Sequence, residues 1–361
     1  MVQKIPRICA ERLSKHDQNQ LKKLKTMSKS GRNFSKLKAA FYTSKLWPNN
    51  QEIKVAFLEK PPSTLERTSI IQLKGNRKGE LDPLQYKVEK MDIIDAIKLI
   101  VKERIEPIVN LSFTFITDPK KAEVRITFDE TQGAWSLLGT DCLTEKDYKQ
   151  PTMNLGWFDV PTVMHEFGHT LGLIHEHQNP SGNKIQWDVE KVYNWASKTQ
   201  GWDKETTYTN IIEKYDSNQI NGSEFDPESI MLYFFPGSLT LNNKGTDENL
   251  RLSKYDVLYI NSVYPNSPTS VQKFYEEVYN SQITNTIPPF RENKNSERVK
   301  VKSGAGNNEN NSSESSGNMR NNLLLGFGIA FGISICIFII VKFFSKNNKL
   351  KEIRNTYFNI P

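Results

Sequence analysis

Apolar and polar residues alternate in several short stretches of the chain, and this pattern predicts a β-sheet. Every second residue is apolar over 111–115 and over 124–128. Such alternation places the apolar side chains on one face and is typical of a half-buried strand. The segments 133–139 and 152–156, which contain turn-forming glycines at their ends, predict two further strands or sheet-edge segments.

Other stretches repeat their apolar residues at helical spacing. Residues 92–101 predict a helix that packs against the sheet. A second helix is predicted to begin after Asp159, because its carboxylate can cap the first turn and Pro161 is tolerated where an N–H has no partner. Residues 271–279 predict a short helix with one apolar face. The alternating segments and the segments with helical spacing together predict an α+β fold.

A longer apolar run lies near the C-terminal end of the chain. Leu323 to Val341 comprises nineteen residues without a charge. At 1.5 Å per residue, a helix of this length crosses a hydrocarbon core of about 30 Å. We therefore predict a transmembrane helix over 322–342 that contacts the lipid bilayer. Gly328 and Gly332 match a small-xxx-small pattern, which is compatible with weak self-association through this helix.

Composition divides the remaining chain into segments. Residues 1–40 are rich in lysine and poor in apolar residues, which predicts a basic N-terminal extension; a solvated tail is the interpretation we adopt over an inhibitory propeptide. Residues 41–265 form the predicted folded domain. Residues 266–321 are predicted to be a mostly disordered linker, because asparagine, serine, glycine and glutamate dominate its second half. Residues 343–361 form a short basic tail.

Two features predict opposite orientations for this single-pass membrane protein. The basic tail, by the positive-inside rule, would stay in the cytosol and place the folded domain outside. The lack of an apolar stretch after Met1, the three cysteines and the position of the span favour tail anchoring with the folded domain facing the cytosol. We adopt the second orientation as the expectation. The net charge of +7 lies largely in the terminal arms, so no nucleic-acid partner is expected.

Four of the five histidines lie within thirteen residues, and their spacing predicts a metal site. His165 and His169 are four residues apart and therefore lie on one face of a helix. Glu166 is rotated by about 100° from His165, so its carboxylate can reach a metal-bound water without binding the metal. Gly172 can adopt the positive φ that ends a helix. That turn allows His175 to return as a third ligand.

Three imidazoles leave one position of a tetrahedral zinc ion open, which is typical of a catalytic site and not of a structural one. We therefore predict one Zn²⁺ per chain, bound by the three histidines, with Glu166 as the general base that takes a proton from the metal-activated water. His177 is predicted to lie outside the ligand set, either behind a ligand or at the surface.

The spacing His-Glu-x-x-His-x-x-Gly-x-x-His over 165–175 resembles the metzincin metalloproteases, and within them the astacin-like family. The resemblance covers about residues 45–265, and Phe225 to Tyr233 is similar to the family's Met-turn, with Met231 as its methionine. It implies a two-subdomain α+β protease with a mixed twisted sheet and an active-site helix. It also implies a polypeptide substrate and a role for Tyr233 beside the zinc ion, where it would stabilise the oxyanion.

The chain departs from the family pattern in several places. The family's two disulfides cannot form from three cysteines, since only Cys9 and Cys142 lie outside the predicted membrane helix. Leu232 stands where a histidine usually precedes the Met-turn tyrosine. No processing signal is visible, so we do not transfer to Glu176 the family role of holding a new amino terminus. Cys9 resembles a thiolate latch over zinc, an interpretation that we do not adopt from sequence.

Two functions of different classes follow from these residues. The first is a zinc endopeptidase, in which an extended peptide would pair with a sheet edge near residues 135–139. The alternative is a membrane-tethered binding module with a non-catalytic zinc site. Glu166 favours the endopeptidase, because a binding module has no need of a general base.

Overall fold

Five strands form one sheet in the part of the chain that the computed structural model describes, which is Cys9 and residues 45–74, 80–180, 185–214 and 225–280. The strand order is β2-β1-β3-β5-β4. Neighbouring strands are parallel except β4, which runs antiparallel to β5 at one edge. The sheet is therefore mixed, as predicted. The strands are β1 Glu52–Phe57, β2 Ser112–Phe115, β3 Val124–Thr127, β4 Ala134–Ser136 and β5 Met153–Leu155.

Helices and loops make up the remaining described residues. Short 3₁₀ or π-helical turns connect them, and one π-helical turn, Val101–Ile105, directly continues α3. Asp92 caps α3, because its side chain accepts hydrogen bonds from the N–H groups of Ile94 and Asp95. The α-helices are α1 Ile70–Lys74, α2 Leu84–Val88, α3 Ile93–Ile100, α4 Val160–Thr170, α5 Val189–Gln200, α6 Lys204–Thr207, α7 Lys254–Val263 and α8 Pro268–Tyr279.

Within the described residues, the structure confirms the strands predicted at 111–115, 124–128, 133–139 and 152–156 and the helices predicted at 92–101, after Asp159 and at 271–279. Strand β1 was not predicted. The core lies between the sheet and α4. Phe113 of β2 meets Phe167 of α4 edge-to-face, with ring centroids 5.6 Å apart. Such aromatic pairs contribute about 0.5–1.5 kcal/mol beyond the burial of their area. The active-site helix is therefore fixed directly against the strands.

Arg125 lies on the face of β3 that the alternation predicts to be polar, yet the side chain is buried. Its guanidinium donates hydrogen bonds to the carbonyl oxygens of Ala122, Glu145 and Gln150 at 2.9–3.1 Å. The segment between β4 and β5 thus covers this face and satisfies the buried charge with backbone acceptors.

The packed domain extends beyond the predicted boundary at residue 265. Helix α8, Pro268–Tyr279, buries one apolar face. The hydroxyl groups of Tyr275 and Tyr279 donate to the carbonyl oxygens of Lys254 and Leu252 at 2.9 and 2.7 Å. The first part of the predicted linker is therefore a helix, because its aromatic residues have a surface to pack against.

Several predictions concern residues outside the described ranges. These include the N-terminal extension apart from Cys9, the linker beyond residue 280, the membrane helix over 322–342 and the tail 343–361. Within the described ranges, no helix has both the length and the apolar character needed to cross a membrane.

Candidate active site

The active-site helix α4 begins and ends as its sequence predicts. Asp159 accepts a hydrogen bond from the N–H of Thr162 at 2.8 Å and caps the first turn. At the other end, Gly172 has a φ of 94°, a conformation that favours glycine. The chain turns there and brings His175 back toward the histidines of the helix.

Two distant aromatic residues satisfy carbonyl groups at the C-terminal end of α4. The indole N–H of Trp47 donates to Thr170 O at 2.7 Å, and the hydroxyl of Tyr264 donates to Leu171 O at 2.8 Å. The last carbonyls of a helix have no partner within it, so these bonds stabilise its end. They also attach both ends of the domain to the segment that carries the histidines.

The structure brings His165, His169 and His175 together with their Nε2 atoms facing one point. The Nδ1 atoms of His165 and His169 lie 2.9 and 2.8 Å from the carbonyl oxygens of Ile230 and Leu173. A carbonyl can only accept a hydrogen bond, so Nδ1 carries the proton and Nε2 keeps its lone pair. The Nε2 atoms of His169 and His175 are 3.0 Å apart.

The electrostatic environment favours the neutral imidazoles that bind metal ions. Burial, assisted by the neighbouring His169 and His177, lowers the pKa of His165 to about 3. The same causes lower the pKa of His175 well below its ordinary value. His165 Nε2 is buried and has no hydrogen-bond partner among the described residues. A lone pair in this position is costly unless a ligand occupies the point it faces.

Cys9 also lies in this cluster, although the predicted ligand set did not include it. Its Sγ is 3.6 Å from His169 Nε2 and 3.5 Å from Glu166 Oε2. The fourth position that the sequence predicted to be open therefore faces a thiol. The resemblance of Cys9 to a thiolate latch was the available sequence signal, but the spacing of the histidines says nothing about a cysteine so distant in sequence. All candidate ligand atoms lie within 4.8 Å of one another, from Cys9, His165, His169 and His175.

Two of these separations are close to those around a tetrahedral zinc ion, while the full set of ligand atoms spreads over up to 4.8 Å. With Zn–N bonds of 2.0–2.1 Å and a Zn–S bond of 2.3 Å, tetrahedral angles require about 3.6 Å between sulfur and nitrogen and about 3.3 Å between two nitrogens. The observed distances are 3.6 Å from Cys9 to His169 and 3.0 Å from His169 to His175. Nitrogen and sulfur are also the donor atoms that zinc prefers.

Glu166 points into the same cluster and is fully buried. Its Oε1 has no hydrogen-bond partner among the described residues, and its Oε2 faces the Cys9 thiol. Burial raises the pKa of Glu166 to about 8, and the hydrogen bond from Cys9 opposes this shift. A divalent cation at the imidazoles would favour the ionised carboxylate by its charge.

The Met-turn lies beneath the histidines. A Cβ added to Gly168 would come within 2.7 Å of Met231 Sδ, so the methionine packs tightly against the helix at this glycine. The N–H of Glu176 donates to Met231 O at 3.1 Å. The hydroxyl of Tyr233 contacts His175 Nε2 and donates to the carbonyl oxygen of Cys9. Tyr233 thus lies at the metal cluster.

Asp256 holds the Met-turn in place, a role that the sequence analysis missed. Its carboxylate accepts hydrogen bonds from Ser229 Oγ at 2.7 Å, from Ile230 N at 2.8 Å and from Ser253 N at 2.9 Å. Ile230 O in turn accepts the Nδ1 proton of His165. Asp256 is therefore linked to a metal ligand through one residue. The Ser-x-x-Asp capping box that begins α7 was the available sequence signal.

The two residues after His175 are not ligands. His177 is buried, its ring stacks on His175 at 5.4 Å, and its Nε2 lies 2.9 Å from Asn210 O. It therefore lies behind a ligand, one of the two predicted positions. Glu176 Oε1 accepts hydrogen bonds from Asp226 N at 2.9 Å and Asn179 Nδ2 at 3.0 Å. These bonds fix the segment that follows the third histidine.

The edge strand β4 lies next to the active-site helix. The Oγ atoms of Ser136 and Thr170 are 3.2 Å apart. Along a strand of an antiparallel pair, the N–H and C=O groups of successive residues point alternately toward the partner strand and away from it. Gly133 and Leu137 form backbone hydrogen bonds with residues beside β5. The backbone groups of Ala134 and Ser136 consequently point away from β5. Ala134 and Ser136 are buried, so an additional extended chain could pair with these groups only once this edge is uncovered.

Fold and cluster together define a zinc-dependent metallopeptidase with an active-site helix and a Met-turn. The sequence profile of the astacin family of peptidases matches residues 85–265. This match covers half of the chain, which belongs to the astacin family.

Several solved structures are similar to this chain. The alignments described here each cover 62% or 63% of this chain. A structure of myroilysin is 30% identical with a TM-score of 0.48, and the alignment covers 63% of this chain and 98% of that chain. A crystal structure of myroilysin is 29% identical with a TM-score of 0.40, covering 62% and 87%. The hatching enzyme and zinc-protease high choriolytic enzyme 1 from the medaka fish Oryzias latipes is 15% identical with a TM-score of 0.39, covering 62% and 96%. Comparison with curated protein sequences gives no match.

Proposed function

We propose that this chain is an endopeptidase that hydrolyses peptide bonds of polypeptides with Glu166 as general base. The observation that supports this most directly is the position of the Glu166 carboxylate, whose Oε2 faces the fourth side of the imidazole cluster at the Cys9 thiol. A zinc ion held by the three histidines would lower the pKa of a water in its remaining position to about 7 and polarise the substrate carbonyl. Glu166 would take the proton of that water and return it to the leaving amine.

Tyr233 is proposed to stabilise the negative charge that develops on the substrate carbonyl oxygen. Its hydroxyl lies at the cluster beside His175 and already donates to a backbone carbonyl, that of Cys9. A substrate carbonyl would take the place of this acceptor. The extended substrate is proposed to pair with the outward backbone groups of Ala134 and Ser136, which position a peptide without demanding a particular sequence.

Metal removal tests the proposed reaction. The Cys9→Ala chain, which lacks the thiol in the site, is expected to cleave casein, to lose this activity in a chelator and to regain it with one equivalent of Zn²⁺. The physical reason is that the imidazoles provide no Lewis acid without the ion. Stoichiometric zinc without any cleavage would instead support the alternative of a membrane-tethered binding module.

Replacing Tyr233 by phenylalanine is expected to lower kcat by about 10²-fold with little change in KM, because one donor to the developing oxyanion is lost. Steady-state hydrolysis of a fluorogenic peptide by the Cys9→Ala chain measures both constants. Tyr255→Phe is the matched control, since Tyr255 is exposed on α7. An equal fall of kcat in both variants would contradict the role of Tyr233.

We also propose that residues 322–342 anchor the protein in a membrane as a single span, with the catalytic domain facing the cytosol. The uncharged run from Leu323 to Val341 supports the span, and the low number of cysteines, three in the sequence, supports a domain in the reducing cytosol. The intact chain is expected to stay in the membrane pellet after alkaline extraction, and a chain lacking 322–342 to be released. If alkaline extraction released both the intact chain and the chain lacking 322–342, the membrane anchor would be contradicted. If the catalytic domain in sealed vesicles were protected from added protease, the opposite orientation would be supported.

A further inference from the structure

We propose that Gln178 is a positioning residue of the zinc site: its side-chain oxygen accepts the Nδ1 proton of His175 and so directs the Nε2 lone pair of that ligand at the ion. Gln178 acts through His175 and contacts neither the ion nor a substrate. The inference concerns how the zinc ion is held, so it stands apart from the peptide hydrolysis and the general base proposed above.

His175 is the predicted ligand whose second ring nitrogen lacks a backbone acceptor among the described residues. The Nδ1 atoms of His165 and His169 lie 2.9 and 2.8 Å from backbone carbonyl oxygens. In contrast, His175 Nδ1 is buried and has no hydrogen-bond partner of standard geometry in the described ranges. An imidazole that binds a metal ion through Nε2 carries its proton on Nδ1, and a buried N–H without an acceptor is costly.

The side chain of Gln178 offers the missing acceptor. Its Oε1 is buried and also has no partner of standard geometry among the described residues. Gln178 is 1% exposed and His175 is 0% exposed, so bulk solvent reaches neither atom. One of the two atoms needs an acceptor and the other is an acceptor, so a hydrogen bond between them would satisfy both.

The backbone brings these two side chains to the same side of the chain. The N–H of Gln178 donates to the carbonyl oxygen of His175 at 3.0 Å and closes the 3₁₀ turn Glu176–Gln178. In such a turn, side chains three residues apart lie one above the other. Burial and the neighbouring histidines lower the pKa of His175, and the Gln178 side chain opposes this shift as a hydrogen-bond partner. The amide therefore lies close to the imidazole ring.

Two backbone carbonyls fix which end of the Gln178 amide faces the ring. Its Nε2 donates to Thr209 O at 2.8 Å and to Glu213 O at 2.9 Å. A carbonyl oxygen can only accept a hydrogen bond, so the amide nitrogen occupies this side and Oε1 the other. The amide is thus held with both of its N–H groups in use and its oxygen turned toward the imidazole.

The same segment also holds His177. The two carbonyls belong to the π-helical turn Tyr208–Ile212 and to the residue that follows it. The last carbonyls of a helix have no partner within it, so this turn offers acceptors to neighbouring side chains. His177 Nε2 lies 2.9 Å from Asn210 O, and the His177 ring stacks on His175 with centroids 5.4 Å apart. His177 therefore connects the turn to the ligand without a hydrogen bond to His175 Nδ1.

Zinc affinity and the imidazole N–H resonances test the inference. The sample is the full Cys9→Ala chain in detergent with ¹⁵N-labelled histidine, which gives a simple spectrum because the chain has five histidines. Gln178→Met keeps the approximate size of the side chain but removes its oxygen. This variant is expected to raise the Kd for Zn²⁺ by about 10–100-fold, the usual effect of losing the partner of a ligating histidine.

In the zinc-bound Gln178→Met chain, the Nδ1–H resonance of His175 is expected to move upfield. The physical reason is that a proton without a hydrogen bond is more strongly shielded. The Nδ1–H resonances of His165 and His169 are expected to stay in place, because backbone carbonyls are their acceptors. These two resonances also report whether the site is folded.

Two further variants distinguish positioning from a purely structural role. Gln178→Glu loses the N–H donors to the π-helical turn but keeps an oxygen beside His175 Nδ1. It is expected to keep the His175 resonance downfield and to bind zinc more tightly than Gln178→Met. His177→Phe loses the bond to Asn210 O but keeps a ring stacked on His175. It is expected to weaken zinc binding less than Gln178→Met does.

An unmoved His175 resonance with an unchanged Kd in Gln178→Met would overturn the inference. Equal weakening of zinc binding by all three variants would also overturn it, since the connection to the π-helical turn would then explain the whole effect. If Gln178→Met did not fold, loss of the downfield His175 resonance in Gln178→Glu would overturn the inference and its retention would support it. The expected zinc affinities in a chain that cleaves no peptide would keep Gln178 as a positioning residue and reject the proposed hydrolysis.

Discussion

Replacing Glu166 by glutamine in the Cys9→Ala chain is expected to lower kcat/KM for peptide hydrolysis by about 10²–10⁴-fold, the usual contribution of a general base. Glutamine has nearly the same shape as glutamate but cannot accept a proton from water. The three imidazoles are unchanged, so the zinc content is expected to remain at one per chain. A fluorogenic peptide assay, with metal analysis of the same sample, measures both quantities.

The matched control is Glu190→Gln, because Glu190 is an exposed carboxylate on α5. This variant is expected to retain the activity of its parent. If Glu166→Gln retained full activity with zinc bound, another group would have to be the base. If Glu166→Gln lost both zinc and activity, the carboxylate would be needed to hold the ion, and the assignment of Glu166 as general base would fail.

The second large effect concerns stability, at a buried ion pair remote from the metal cluster. Arg104→Met is expected to lower the free energy of unfolding by about 3–5 kcal/mol, because Asp82 would be left as a buried charge without a partner. The Nε of Arg104 lies 2.9 Å from both carboxylate oxygens of Asp82, and the side chains are 2% and 1% exposed. Urea unfolding followed by tryptophan fluorescence measures the change.

An ion pair whose lysine is exposed provides the comparison in the same region. Lys102 pairs with Glu106 one turn away, and the two side chains are 73% and 15% exposed. Lys102→Met is therefore expected to change the free energy of unfolding by less than about 1 kcal/mol. The double variant Arg104→Met, Asp82→Leu is expected to recover much of the lost stability, since no unpaired charge remains. Similar losses of unfolding free energy for Arg104→Met and Lys102→Met would show that burial does not decide the contribution of these ion pairs.

Much of the candidate site could be predicted because its key residues are close in sequence. The positions of His165, Glu166 and His169 follow from the helical period, and Gly172 supplies the turn that returns His175. Each of these relations is decided within eleven residues. Strands β2 and β3 were predictable for the same reason, since alternation is a local property of an extended chain, whereas β1 was not predicted.

Other parts of the site depend on contacts between distant segments. Cys9 meets His169 across 160 positions, and Asp256 meets Ile230 across 26. The spacing of the histidines describes only the ligands of one segment, so it could not show that a fourth donor comes from elsewhere. The buried Arg125 was unpredictable for a related reason, since alternation does not reveal what covers the second face of a strand.

The sequence by itself determined the chemistry of this protein: a helix with two histidines and a glutamate, a glycine turn, a third histidine and the resemblance to astacins. Backbone periodicity and glycine conformation fix these features locally. Only the tertiary structure decided that a distant thiol faces the same point, that Trp47 and Tyr264 hold the end of the helix, and that Asp256 supports the Met-turn. These contacts arise when apolar surfaces pack and bury polar groups, which must then find partners wherever the fold places them.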